Sequence, residues 1–250
     1  MESTEQIADL RLKARKAYES GQLKEAKRLV EQCMADDASD PRGQELLGLI
    51  QYLSGFYGRS VALLESASLL VPLRPAARVC LAHGYGKVGR TELSCDLLEE
   101  MIRDEQIPAP LMLQVAVGLN NIGRPDLAVC ASRRAIELAP QYAQAWYDTS
   151  FYTGKCGGSI DTVESHARRA LALDPEALQY RIGLAGLLSR QERLGEAHEL
   201  VQDLTKSEIE SIGCRTCLQR VTDLYEFARD YRRAVIGRQR LVVMPEGEGC

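Results

Sequence analysis

Three glycines, Gly84, Gly86 and Gly89, fall within AHGYGKVG (82–89) and spell G-x-G-x-x-G. Between a strand and a helix, that spacing brings backbone N–H groups against a pyrophosphate and makes a dinucleotide-binding turn. GKCGGS (154–159) is close to a phosphate-binding loop, but Cys156 follows Lys155 where that loop needs Ser or Thr. Cys214 and Cys217 form C-x-x-C, a spacing that suits a thiol–disulfide pair or half of a zinc site. Zinc would need two further ligands. There is no second C-x-x-C, and His83, His166 and His198 are far apart in the chain. No Ser or Cys stands at a recognisable spacing from a base, so no catalysis is expected. Which of these chemistries is real depends on the elements that hold the residues.

Those elements repeat. SRRAIELAPQ begins at Ser132 and ARRALALDPE at Ala167, an offset of 35 (167 − 132). GQLKEA, GFYGRS, GRTELS and GRPDLA begin at Gly21, Gly55, Gly89 and Gly123, spaced by 34 (55 − 21, 89 − 55, 123 − 89). Five residues after each glycine comes a small residue: Ala26, Ser60, Ser94 and Ala128. Pro41, Pro72, Pro140, Pro175 and Pro245 punctuate the far ends of several units. A fixed period of this length marks stacked helix pairs, each with an apolar face that it cannot bury alone.

The phased pattern resembles the tetratricopeptide repeat, a helix–turn–helix unit of 34 residues. The second unit places Gly48 in its first helix, Gly55 in the turn, and Ala67 and Pro72 toward its end. The fourth matches with Ala116, Leu119, Gly123, Ala128, Ala135 and Pro140, and Trp146 stands near the start of the fifth. Seven units follow, near 7–40, 41–74, 75–108, 109–142, 143–177, 178–211 and 212–245, with 246–250 as a tail. In the sixth and seventh, Glu192 and Arg229 replace the turn glycine, while Ala197 and Ala234 still mark the second helix. The resemblance implies an all-α fold: one antiparallel helix-pair solenoid over 1–245, wound as a right-handed superhelix.

The motifs then acquire addresses. Gly89 is a turn residue, and Gly84 and Gly86 belong to the last turn of a helix with no strand before it. No cofactor is expected, and Gly86 is expected to leave space on the concave face. GKCGGS becomes a turn lengthened by one residue, which accounts for the offset of 35. Trp146 is expected between helices. Cys214 and Cys217 fall near the start of a helix, and no metal is expected.

Bulk properties narrow the function. The 250 residues carry a net charge of -4 and a pI near 5.6, without the basic excess that tracking a phosphate backbone requires. Nucleic acid is therefore not an expected partner. No secretory h-region and no run of membrane-spanning length occurs, so no membrane association is expected and a cytoplasmic location is. Most of the eight cysteines are expected to be reduced and buried.

The resemblance also implies a concave groove lined by the first helix of each unit. Carried over residue by residue, that lining is Leu49 and Tyr52, then Val79 and His83, then Leu113, Val117 and Asn120, then Tyr147 and Phe151, and then Ile182. Glu45 falls at a matching place. Most of these are apolar or aromatic, which fits the apolar face of a helix or an extended hydrophobic peptide. Some relatives clamp a C-terminal carboxylate. The matching places here are Arg11, Arg15, Leu46, Ala76 and Cys80, three of them apolar, so a clamp is not expected. The expected function is a non-catalytic scaffold, adaptor or chaperone-like protein. Two alternatives stand beside it: a redox or zinc-dependent regulator using Cys214 and Cys217, and the interaction subunit of a larger enzyme assembly. The groove could also be covered by the chain's own N-terminal segment or by a second copy in a homodimer.

Overall fold

The structure, a computed structural model, describes residues 2–35 and 37–245. The proposed tail, 246–250, with Cys250, lies outside the described residues. Those residues form fifteen helices and no strand. They cluster into two compact units, divided between Leu138 and Ala139.

The first unit holds α1 (Glu2–Glu19), α2 (Leu23–Cys33), α3 (Pro41–Leu53), α4 (Tyr57–Ser68), α5 (Pro75–Lys87), α6 (Thr91–Ile102), α7 (Ala109–Asn121) and α8 (Pro125–Leu138). Consecutive helices pair, each pair packs on the next, and α1, α3, α5 and α7 touch in series. Pro41 is not an end signal as the sequence pattern suggested. It opens α3, as Pro75 opens α5, because the first helical position has no partner for an N–H to lose. The small residues Ala26, Ser60, Ser94 and Ala128 are all fully buried where paired helices meet. Ser60 Oγ donates to the Gly48 carbonyl at 2.8 Å, and a Cβ on Gly48 would stand 2.7 Å from Leu64 Cγ.

The second unit holds α9 (Ala143–Lys155), α10 (Ile160–Leu173), α11 (Leu178–Arg190), α12 (Leu194–Glu199), α13 (Lys206–Ser211), α14 (Arg215–Phe227) and α15 (Tyr231–Val243). The helix expected after Arg193 is broken in two. Its freed carbonyls are caught by side chains from other helices: Arg181 Nε donates to Leu200 O (2.8 Å), Tyr225 Oη to Val201 O (2.8 Å) and Arg233 Nε to Leu204 O (2.9 Å). α13 restarts with a capping box between Thr205 and Glu208.

One turn geometry serves all the pairs. Gly21, Gly55, Gly89, Gly123 and Gly157 have φ of 75, 80, 82, 80 and 70°, and the last keeps the interval of 34 (157 − 123). The extra residue in GKCGGS is therefore Gly158, after the left-handed position. In each turn the next N–H reaches back five residues, as in Phe56 N to Gln51 O and Arg90 N to Tyr85 O, closing a Schellman cap. Glu192 and Arg229 adopt φ of 60° in the same role and make the same bonds, Arg193 N to Leu188 O and Asp230 N to Tyr225 O. A Cβ in that region costs about 1–2 kcal/mol, part of which glycine returns through its freer unfolded chain. Glu192→Gly and Arg229→Gly should therefore each stabilise the protein by about 0.5–1 kcal/mol in urea denaturation. A loss of stability in either variant would contradict the strain.

Among the described residues no helix is long and apolar enough to cross a membrane.

Candidate functional site

The inner helices of the first unit enclose a cavity of about 770 Å³. Its apolar lining includes Leu12, Leu46, Leu49, Ala76, Pro108 and Leu111. Leu12 is 54% exposed there. Arginines stand at the rim, but their charge is largely spent on neighbours. Arg11 pairs with Asp40 (2.9 Å), Arg15 with Glu19 (3.2 Å) and Arg42 with Glu45 (2.6 Å). Asp40 also caps α3 by accepting from Gly43 N, and Glu45 accepts from Arg74 N at 2.8 Å. Glu45 is buried by these contacts and offers a partner nothing.

The expected groove residues separate into several environments. Leu49 lines the cavity, and Tyr52, Val117 and Asn120 are half-buried. Val79, Leu113 and Ile182 are buried and belong to the packing. An inner helix touches its own partner and the pairs on both sides, so apolar residues of the same type go to core or groove according to the neighbours' approach. His83 is corrected from an open groove residue to a brace. Its Nε2 lies 2.8 Å from the Gln114 carbonyl, which can only accept, and its Nδ1 lies 3.2 Å from Tyr52 Oη. The carbonyl thus fixes a hydrogen on Nε2, and the ring links α3, α5 and α7. Burial holds its pKa below the ordinary value, against the opposing pull of the Gln114 bond.

The second unit presents a different face. Gln144, Tyr147, Asp148 and Phe151 follow one another along α9 at helical spacing and form one stripe. Phe151 is 45% exposed, with Lys155 Nζ 5.2 Å from its ring centroid. Tyr147, expected as an exposed anchor, is instead packed. Its ring lies 4.9 Å from that of Tyr180, and its hydroxyl fills the space that a Cβ on Gly183 would need. Trp146 packs on His166 and donates to Pro140 O at 2.9 Å. No sequence motif marked Asp148, and its only signal is a lone charge among the aromatics of WYDTSFY. Gln144 Nε2 donates to its Oδ1 at 2.6 Å, and Gln144 Oε1 in turn accepts from Tyr180 Oη and Gln179 Nε2.

The other motifs serve packing. The glycine string lies at the C-terminal end of α5, where carbonyls rather than N–H groups point outward. A Cβ on Gly84 would meet Val61 at 2.8 Å. One on Gly86 would meet Ile122 at 3.1 Å, so Gly86 serves packing between helices rather than space in the groove. Cys214 is the N-cap of α14, its sulfur accepting from Cys217 N at 3.4 Å, and Cys217 is a thiol rather than half of a disulfide. The two cysteines are therefore not joined to each other. Burial pushes the Cys217 thiol up, the opposite of an activated nucleophile. Among the described residues no group of three or more His, Cys, Asp or Glu could hold a metal ion. The expectation of mostly buried cysteines is also corrected: of the free thiols, Cys33 is buried, while Cys130 and Cys156 are exposed.

No family model matches the sequence, and no curated protein does. Solved structures do match. MamA from MSR-1 aligns with a TM-score of 0.55 at 23% identity, over 69% of this chain and 98% of that one. TTC0263, a thermophilic TPR protein of Thermus thermophilus, gives 0.55 at 19% identity, over 73% and 98%. YrrB, a TPR protein with an unusual peptide-binding site, gives 0.54 at 15% identity, over 68% and 88%. The chain has the tetratricopeptide-repeat fold.

Proposed function

We propose that this tetratricopeptide-repeat fold serves as a non-catalytic interaction scaffold that binds an apolar protein segment along its inner helices. The observation that carries this reading is the apolar cavity of about 770 Å³ walled by α1, α3, α5 and α7. An open cavity with a mostly apolar lining, three of whose four rim arginines are paired within the chain, suits the hydrophobic face of a helix or an extended peptide. YrrB, of the same fold, is described as having a peptide-binding site, which agrees with this use.

Ala76 provides the test. It lines the cavity, is exposed, and sits in the first turn of α5, where the helix dipole welcomes an acid. Ala76→Glu should therefore leave the melting temperature within a degree or two. It should weaken binding of peptides selected on the wild-type protein from a randomised display library at least tenfold, since an apolar segment seated there would strip water from the new carboxylate. Undiminished binding by Ala76→Glu would move the interaction off this surface.

A further inference from the structure

Asp148 is half-buried in the second unit, and among the described residues it forms no ion pair. Its Oδ1 accepts from the Gln144 amide, which leaves Oδ2 unspent. Gln144 is itself held by two donors, so the carboxylate is oriented rather than loose. Tyr147, Tyr152 and Tyr180 surround it closely enough to feel its charge, and Phe151 continues the same helical stripe into solvent. Desolvation pushes the Asp148 carboxyl up to about 6, against the pull of the Gln144 bond, and no cation among the described residues offsets it. A carboxylate kept partly dry without a counter-ion destabilises the fold, and such groups concentrate where a ligand supplies the missing charge. Aromatic faces beside it favour the same ligand, because their quadrupoles attract cations. The Phe151 ring already takes Lys155 at 5.2 Å.

We propose that the α9 stripe of Gln144, Tyr147, Asp148 and Phe151 in the second unit binds a lysine or arginine side chain of a protein segment, with its charged head on Asp148 and its alkyl stem along Phe151. This rests on the scaffold reading above and gives the second unit its own ligand: a segment with a basic residue among apolar ones. A neutral donor on Asp148 would leave the charge uncompensated, and an acidic one would be repelled.

The test uses the full chain and Asp148→Asn, which keeps the oxygen that accepts from Gln144. Peptides of twelve random residues are selected by display on the wild-type protein, and the best are measured by fluorescence anisotropy on both proteins. One class of enriched peptides should share a Lys or Arg flanked by apolar residues. Replacing that residue by Gln should weaken binding at least tenfold on the wild type and less than twofold on Asp148→Asn. An equal loss on both proteins overturns the assignment. So does a selection in which no enriched peptide carries a basic residue; if those peptides respond to Ala76→Glu, segment binding in the first unit stands and only this site fails. If no peptide is enriched on the wild type, both fail. Stability gives an independent readout. The raised carboxyl contributes stability that is present below the ordinary Asp range and lost as pH rises through about 6. Asp148→Asn should therefore melt higher than wild type at pH 7.5, with the gap closing toward pH 4. A lower melting temperature at pH 7.5 would show that the charge is already compensated, and would overturn the proposal.

Discussion

Tyr225→Ala should destabilise the protein by about 3–5 kcal/mol, the usual cost of truncating a fully buried large side chain. Tyr225 has no exposed surface and belongs to the core of the second unit. Its ring stands edge-on to His198, with centroids 6.3 Å apart, and its hydroxyl donates to Val201 O at 2.8 Å. That bond crosses from α14 to the segment where the helix breaks between α12 and α13. Tyr225→Phe separates the two contributions. It keeps the ring, and the Val201 carbonyl still accepts from Leu204 N at 3.2 Å, so the loss should be only about 1 kcal/mol. Urea denaturation of the two variants measures both. If Tyr225→Phe costs as much as Tyr225→Ala, the hydroxyl and not the packed ring holds the break in place.

Gly118→Ala should cost about 2–3 kcal/mol, far above the usual effect of a helical Gly→Ala change, which is stabilising in isolation. A Cβ on Gly118 would stand 2.5 Å from His83 Nε2, 2.6 Å from His83 Cδ2 and 2.9 Å from Leu98 Cδ1. The imidazole cannot swing aside without giving up its bonds to Tyr52 and Gln114. Leu98 contributes only the flexible end of its side chain. In a His83→Ala background, Gly118→Ala should therefore cost about 1 kcal/mol or less, giving a coupling of at least about 1 kcal/mol in a double-mutant cycle. Additive losses would mean that the glycine is required by something other than the histidine.

Much of the architecture was legible in the sequence because its constraints are local. A left-handed residue after the first helix of a pair favours glycine, and five of seven turns use it at an interval of 34, so the turns could be counted without coordinates. Small residues where paired helices cross recur for a similarly short-range reason, and Ala26, Ser60, Ser94 and Ala128 are all buried as their phase implied. The same phase removed the dinucleotide reading of Gly84, Gly86 and Gly89, because it set them at a helix's C-terminal end. The two turns that depart from the pattern, at Glu192 and Arg229, keep the geometry because the reach-back hydrogen bonds of the cap form with either residue and only the strain differs.

What the tertiary structure decided is which side chains are open. Inner helices are contacted on several sides, so their apolar residues look alike in sequence whether they fill the core, as Leu113 does, or line the cavity, as Leu49 does. The roles of His83 and Tyr147 depend on Gly118 and Gly183, each more than thirty residues away, making room for a ring. Asp148 shows the same limit from the polar side. A charge on a helix is ordinarily solvated, but the packing around α9, where Gln179 and Tyr180 of α11 hold Gln144, leaves this one partly dry and, among the described residues, without a cation. The break between α12 and α13 has no glycine or proline to announce it, because it is held by Arg181, Tyr225 and Arg233 reaching in from other helices. Local periodicity determined the helices and their turns; the three-dimensional approach of one helix to another determined the surface this protein offers.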